Sequence, residues 1–315
     1  MIRLGLCCKF AREPIRFRTA TATALLKMPR SAALAKISGI CRANSLALRE
    51  ALEFCAANTI GAFRVNSQIL PVKTHPDAGY DISDLPDADD IVKSFKSCSR
   101  YARRHNLRLS FHPDQFILLS SPDPGITARS IADLEYHTDV AEWIGADVIN
   151  IHGGGAYGDK VAALDRVTRV ISHLPARIRK RLTLENDDKT YTPTDLLPVC
   201  HSTGIPLVYD VHHHRCNPDS LTIEKATKLA LATWNREPLF HLSSPKDGWN
   251  SPQPYKHHDY INPTDFPKCW KKLSITIEVE AKAKELAIAK LQQELQRSTG
   301  VLEYWSDGVV GVSFP

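Results

Sequence analysis

Long hydrophobic runs are missing from this 315-residue chain. No stretch approaches the roughly 18 apolar residues of a membrane-spanning helix, which argues against a membrane protein. Paired cysteines are missing too: the eight Cys, at 7, 8, 41, 55, 98, 200, 216 and 269, include no CxxC spacing. Scattered thiols in a chain of this size read as reduced residues of a cytoplasmic protein, and sulfur is a poor candidate for the chemistry. No GxGxxG opens a first helix, so an open dinucleotide-binding sheet lacks its fingerprint. The glycine run GGGAYG comes late, at 153–158. Low-complexity tracts, linkers and composition breaks are absent as well, so nothing marks a second domain.

What is present is an ordinary globular composition, 43% hydrophobic and 24% charged, with a net charge of +5. The positive charge is uneven. Residues 1–30 hold seven Lys or Arg against the single acid Glu13. An Arg-rich, acid-poor start is also the composition of a transit peptide. Against that, MIRLGLCC reads as a buried strand, and the segment has no Ser and no small-residue cleavage site. The better reading is a basic loop, Arg12–Arg30, that meets an anionic partner.

Apolar runs rich in β-branched residues alternate with helix-period segments along the whole chain. Strands are predicted at 2–7, 62–66, 107–112, 147–152, 181–186, 206–212, 238–244 and 274–280. Between them lie helix candidates at Ala33–Ala57, Ala88–His105, Ala128–Ile144, Ala162–Ile178, Pro193–Thr203 and Ile223–Trp234. Near-continuous apolar strands alternating with helices indicate a parallel sheet with both faces covered. Eight such units predict a single-domain α/β protein, a (β/α)8 TIM barrel over residues 1–285. Residues 286–315 would complete a C-terminal helix and pack a tail, VLEYWSDGVVGVSFP at 301–315, on the barrel.

In such barrels the chemistry sits at the carboxyl ends of the strands. Read in order, those ends carry His112, His152, Glu185, Asp210 with His212–His214, His241 and Glu280; His75 follows strand two, and His257 and His258 lie beyond strand seven. The remaining His105, His137, His173 and His201 fall in helices or at their ends and read as surface or capping residues. Each site residue alone is explicable as hydrogen-bonded structure. Together they would leave several buried polar groups facing one another, which is costly without a cation. Imidazole plus carboxylate without thiolate suits Zn, Mn or Fe, and so many ligands imply two or three ions. Adjacent ions clamp the attacking and leaving oxygens of a phosphoryl transfer and lower the pKa of bound water. Alternation along the strand means that at most one or two of His212, His213 and His214 face the ions.

MIRLGL, THP (74–76), FHPDQF (111–116), IHGGGAYGDK (151–160), LENDD (184–188), YDVHHHRCNP (209–218), FHLSS (240–244) and VEAKAKE (279–285) resemble the UV damage endonucleases, in that order. The likeness runs from residue 1 to about 285, and HGGGAYGDK and LEND are its most specific motifs. It implies a TIM barrel related in site design to the endonuclease IV type of apurinic endonuclease, and an enzyme that nicks DNA immediately 5′ to UV photoproducts with a cluster of manganese ions. Metal ligands implied by it are His75, His112, His152, Glu185, Asp210, His213, His241, His257 and Glu280, with His258 an alternative to His257. Glu185 or Glu280 would bridge ions, and Glu185, Glu280, Asp210 and His241 would carry catalysis. Gln115 and Phe116 would wedge into the duplex beside the lesion. Tyr157, Lys160, Arg16 and Arg18 would meet the DNA backbone.

Three positions depart from the family: Leu6 and Phe10 stand where a Tyr and an Asn meet the lesion, and Leu239 where a modifiable Lys brings an anion to the metals. The expected activity is therefore a metal-dependent hydrolase, a DNA repair endonuclease leaving a 3′-hydroxyl and a 5′-phosphate. Its cofactor would be two to three divalent ions, Mn2+ first with Zn2+ or Fe2+ as alternatives, and its partner damaged double-stranded DNA acted on by a monomer. Preference for abasic sites is one competing reading. A sugar isomerase or epimerase is another, disfavoured by the number of His, the basic loop and the Gln–Phe tip. A non-catalytic DNA binder is weaker still, because binding alone does not need eight convergent ligands.

Overall fold

A computed structural model describes residues 2–113 and 117–299. Eight strands, β1 (Ile2–Cys7), β2 (Ala62–Val65), β3 (Arg108–Phe111), β4 (Val148–His152), β5 (Leu182–Glu185), β6 (Leu207–Asp210), β7 (Leu239–Leu242) and β8 (Ile275–Val279), pair in sequence order. All pairs are parallel, and β8 closes on β1 with Gly5 opposite Glu278. The helices among the described residues are α1 (Ala22–Leu26), α2 (Arg30–Ala57), α3 (Ala88–Arg104), α4 (Pro124–Ile144), α5 (Lys160–His173), α6 (Ala176–Arg179), α7 (Pro193–Thr203), α8 (Val211–Cys216), α9 (Ile223–Ala232) and α10 (Glu285–Thr299). This is the expected (β/α)8 barrel. None of its helices is long and apolar enough to cross a membrane.

Local chemistry sets the boundaries. Asp123 caps the first turn of α4, which starts at Pro124 and stops at left-handed Gly145. The predicted helix 162–178 breaks in two because Pro175, with no N–H to donate, ends α5 and starts α6. The strand predicted over 206–212 ends early. Asp210 accepts a hydrogen bond from the His213 N–H at 2.8 Å and starts α8, so His212–His214 lie on a helix and not on an alternating strand. His137, expected at the surface, is only 4% exposed; its ring meets Phe111 edge-on and its Nδ1 lies 2.7 Å from the Asp133 carbonyl. Ala287, Ile288, Leu291 and Leu295 form the buried stripe of α10, which packs beside β1. The tail at 301–315 lies outside the described residues.

The outer core, between strands and helices, is apolar and continuous. The inside of the barrel differs. A Cβ on Gly5 would meet Ala62 and the Glu278 side chain, which puts these residues on one inward row. Other polar residues of the interior are found by their mutual bonds: Ser110 to Glu278, Asn150 to Thr183 and Glu185, Arg64 to Glu278 and Glu280. At the amino-terminal end Arg108 grips Asp147 at 2.9 and 3.0 Å and Thr276 at 3.0 Å. Arg3 binds Glu237 and the carbonyls of Gly61 and Asn106. Between these polar ends Val148, Val208 and Leu239 form a small apolar cluster of their own. Leu239 is 1% exposed and belongs to this plug. Leu239→Ala should therefore cost about 2–5 kcal/mol in guanidinium unfolding, the lost burial plus the cavity left among Val148, Val208 and Trp234. A loss below about 1 kcal/mol would show that the plug collapses freely.

Candidate metal centre and active site

The strand ends converge on a cavity of about 980 Å3 at the carboxyl end of the barrel. His112 extends one residue past β3, His152 and Glu185 end β4 and β5, and Asp210 ends β6. His241 lies within β7, and Glu280 follows β8. Their donor atoms form three overlapping groups, each able to hold a metal ion: His112–His152–Glu185, His112–His241–Glu280 and Glu185–Asp210–His213. Within a group the atoms lie no more than 4.8 Å apart. Glu185 is central to the arrangement. Its oxygens stand 2.8 Å from His112 Nε2, 3.1 Å from His241 Nδ1 and 3.3 Å from His213 Nδ1.

Burial makes this arrangement electrostatically demanding. It opposes ionisation of Glu185, yet His241, His152 and His112 outweigh it and hold the carboxyl well below the usual range. Glu280 is likewise held low against its burial by Arg64 and His241. Conversely, burial disfavours charge on His213, but Asp210 and Glu185 push its imidazole up to about 10. His152 goes the other way, lowered chiefly by burial. Without a metal, protons on imidazoles thus compensate the carboxylates. That compensation is incomplete: the buried Asp210 Oδ2 and His152 Nδ1 have no hydrogen-bond partner among the described residues. Orphaned donors and convergent carboxylates are what a divalent cation satisfies, so the residues fit one.

A model of the family described as UV-endonuclease UvdE matches residues 2–309. The UV DNA damage endonuclease of Bacillus cereus (strain Q1) is 36% identical over 294 residues, covering 90% of each chain. The chain belongs to the UV-endonuclease family. The crystal structure of SacUVDE superposes with a TM-score of 0.84 at 26% identity, over 96% of this chain and all of that one. Endonuclease IV from Thermus thermophilus shares the fold at a TM-score of 0.57 and 15% identity, over 79% of this chain and 93% of that one. Membership makes the chain a DNA repair nuclease by family, and its mouth the place to look for the expected site residues.

Not all of those residues gather there. His257 lines the cavity, with Nδ1 3.7 Å from Glu280, whereas the Nδ1 of His258 accepts from the Tyr260 N–H at 2.9 Å. Of the histidine triplet only His213 faces the cavity. His212 is buried between Trp249 and His257, and His214 is held by Tyr209 and Asp219. His75 stands apart: its Nδ1 accepts from the N–H groups of Asp77 and Ala78 in a tight turn, and it does not line the cavity. Tyr157 is exposed, with a left-handed φ of 52°, and Lys160 pairs with Asp195 at 2.6 Å. Neither lines the cavity, and Arg16 and Arg18 lie exposed on the basic loop beside Phe17 and Thr19, which do. Leu6 and Phe10 are buried in the outer core, where Phe10 packs on Phe54 and Phe63. The wall positions between them belong to Cys8 and Lys9. Gln115 and Phe116 lie outside the described residues; Pro113 and Ile117, which flank their segment, line the cavity.

The glycine run has a steric reason. Gly154, at φ 85°, lines the cavity wall so close to Ser120 that a Cβ would collide with its hydroxyl.

Several residues that position this family's site were not singled out from sequence. Asn150 donates to Glu185 and is itself held by Thr183 at 2.9 Å. Asn186 brackets Asp210, donating to its carbonyl at 2.9 Å and accepting from its N–H at 3.0 Å. Glu278 and Arg64 are the larger omission. Arg64 Nη1 reaches Glu280 at 2.5 Å and Glu278 at 3.3 Å, and Glu278 lies 3.1 Å from His241 Nε2. Their signal was available: an Arg inside the apolar run AFRVN, and a Glu two residues before Glu280, hence on the same strand face. Arg64 is the fixed countercharge of two buried carboxylates. Arg64→Met should destabilise the metal-free protein by about 3–5 kcal/mol in guanidinium unfolding, with a divalent ion closing part of the gap. A difference under about 1 kcal/mol would show that the histidine protons suffice.

Proposed function

We propose that this barrel mouth hydrolyses the phosphodiester immediately 5′ to a UV photoproduct in duplex DNA, leaving a 3′-hydroxyl and a 5′-phosphate. The observation that carries the reading is the sharing of His112 and Glu185 among overlapping donor groups. Such sharing suits closely spaced ions and not a single one. His112, His152, Glu185, Asp210, His213, His241, His257 and Glu280 are the proposed ligands, with manganese the first candidate ion. His75 would join them through Nε2, which its turn does not use. Bound there, the ions would neutralise charge on the phosphodiester and lower the pKa of water.

The chain's own residues do the rest. Asn150 fixes the rotamer of Glu185, and Asn186 fixes Asp210, so the anionic donors need no rearrangement when substrate arrives. Arg64 keeps Glu280 ionised and adds a positive charge to the cavity wall. The segment carrying Gln115 and Phe116 springs from cavity-lining residues on both sides, which suits a wedge beside an extruded base. The basic loop carrying Arg16 and Arg18 suits the backbone on that flank, and Tyr157 with Lys160 would add contacts once the Lys160–Asp195 pair yields. Leu239, buried in the plug beneath His241, supplies no anion; we therefore expect the most weakly held ion to dissociate readily.

The test is incision of supercoiled plasmid, irradiated or depurinated, by protein freed of metal and then given manganese. Nicking of irradiated plasmid that requires the metal is expected. Glu185→Gln should lower it at least about 100-fold, roughly 2.7 kcal/mol of barrier, while the circular dichroism spectrum stays unchanged. Activity retained within about tenfold would remove Glu185 from the metal shell. A metal-loaded wild-type protein inert on both plasmids would end the nuclease reading.

A further inference from the structure

The main cavity has an annex of about 500 Å3 on the side of β8. Arg64, Tyr255, His257 and Glu280 line both spaces. Beyond them the annex is walled by Lys246, Lys256, Lys282 and Lys284. Backbone pairing brings these lysines together from three places in the sequence. Pro245 and His257 form an antiparallel bridge, and the Lys246 N–H donates to the Lys256 carbonyl at 2.6 Å. The segment after β8 is tied to the same loop, Lys282 N–H to the His258 carbonyl at 3.1 Å and Ala283 N–H to the Asp259 carbonyl at 3.0 Å. Lys284 takes a left-handed φ of 51°, which a residue with a Cβ adopts only at an energetic cost.

The charge of the annex is one-sided. Among the described residues its one carboxylate is Glu280, already engaged by Arg64. Four ammonium groups around one space repel each other, and an entering anion relieves that repulsion. Resting on the nuclease reading above, we propose that the annex seats a backbone phosphate adjacent to the scissile one. The two spaces adjoin at the residues that line both, His257 and Glu280 among them, so a strand with one phosphate over the donor groups would lead its neighbour over this rim. Lysine is a point charge suited to a phosphate oxygen without regard to base, so the annex grips the strand and reads no sequence. Tyr255, exposed at the junction, offers a ring face to the sugar or base between the two phosphates.

The test compares Lys246→Gln/Lys256→Gln and Lys282→Gln/Lys284→Gln with a control pair on α9, Lys225→Gln/Lys228→Gln, which removes equal charge from residues that line neither space. Binding of an irradiated duplex oligonucleotide is followed across a salt series. Each annex pair should flatten the slope of log affinity against log salt by about 0.9 for the phosphate lost, while the control pair leaves it unchanged. A methylphosphonate scan locates the contact. Neutralising one phosphate next to the cut should weaken the wild type about tenfold and leave the annex variants indifferent. Bound metal per chain should be the same in all proteins. Annex variants with the control's slope, or a wild type indifferent to methylphosphonate on either side of the cut, would overturn the proposal alone, since the wild type would still bind and nick. A wild type that neither binds nor nicks irradiated DNA would remove the nuclease reading and the annex with it.

Discussion

Buried negative charge is the constraint on which the structure turns. Glu185, Asp210 and Glu278 are at most 1% exposed, and Glu280 joins them at the barrel mouth. Carboxylates so placed repel one another and have lost their water, so each needs a cation or a proton within reach. Arg64 answers for two of them. Protonated His213 and His241 answer for the rest, and the Asp210 oxygen that lies near both but accepts no hydrogen bond among the described residues marks where the answer is insufficient. An apolar barrel interior would be easier to build. The chain instead keeps a small apolar cluster of Val148, Val208 and Leu239 inside the barrel and devotes the carboxyl end to charge.

The fold makes that possible at modest strain. Parallel strands with period-two side chains aim His152, Glu185, Asp210 and His241 into one space, while the alternate residues build the continuous outer core against the helices. Stability and chemistry therefore occupy opposite faces of the same strands. The second residue on an inward face serves as support: Asn150 beneath His152, Glu278 beneath Glu280, Leu239 beneath His241. The connections add what strands cannot, a wall glycine at Gly154 and the lysine-lined annex sewn together by the loop after β7.

Much of this was legible because alternation is local. A polar residue at the end of an apolar run must face the mouth of a barrel, which located His112, His152, Glu185, Asp210, His241 and Glu280 without tertiary information. The resemblance to UV damage endonucleases then separated His213 from its neighbours, and the structure shows why: Asp210 caps α8 and only His213 turns to the cavity. Where contacts are non-local, sequence alone fell short. Whether Arg64 opposes Glu280 depends on β2 and β8 flanking β1, and whether Lys160 is free depends on Asp195 across a loop. His137 has the composition of a surface helix residue, and only packing against Phe111 buries it. His75 sits in a motif of the family, yet its Nδ1 is held in a tight turn and the residue does not line the cavity.

Protons on imidazoles hold the place of divalent cations at this barrel mouth. Burial disfavours a charged His213, its carboxylate neighbours raise it to about 10, and a raised imidazole stays protonated below that pH. A metal must displace that proton, so metal affinity should climb as pH rises toward about 10 and binding should release protons. Calorimetric titration of manganese into chelator-treated protein, repeated in buffers of different ionisation enthalpy, reads both quantities. At least two ions per chain are expected, with at least one proton released per chain and tighter binding at pH 8 than at roughly pH 6. Binding of no metal, or of metal with no proton release and no dependence on pH, would contradict this exchange of protons for metal.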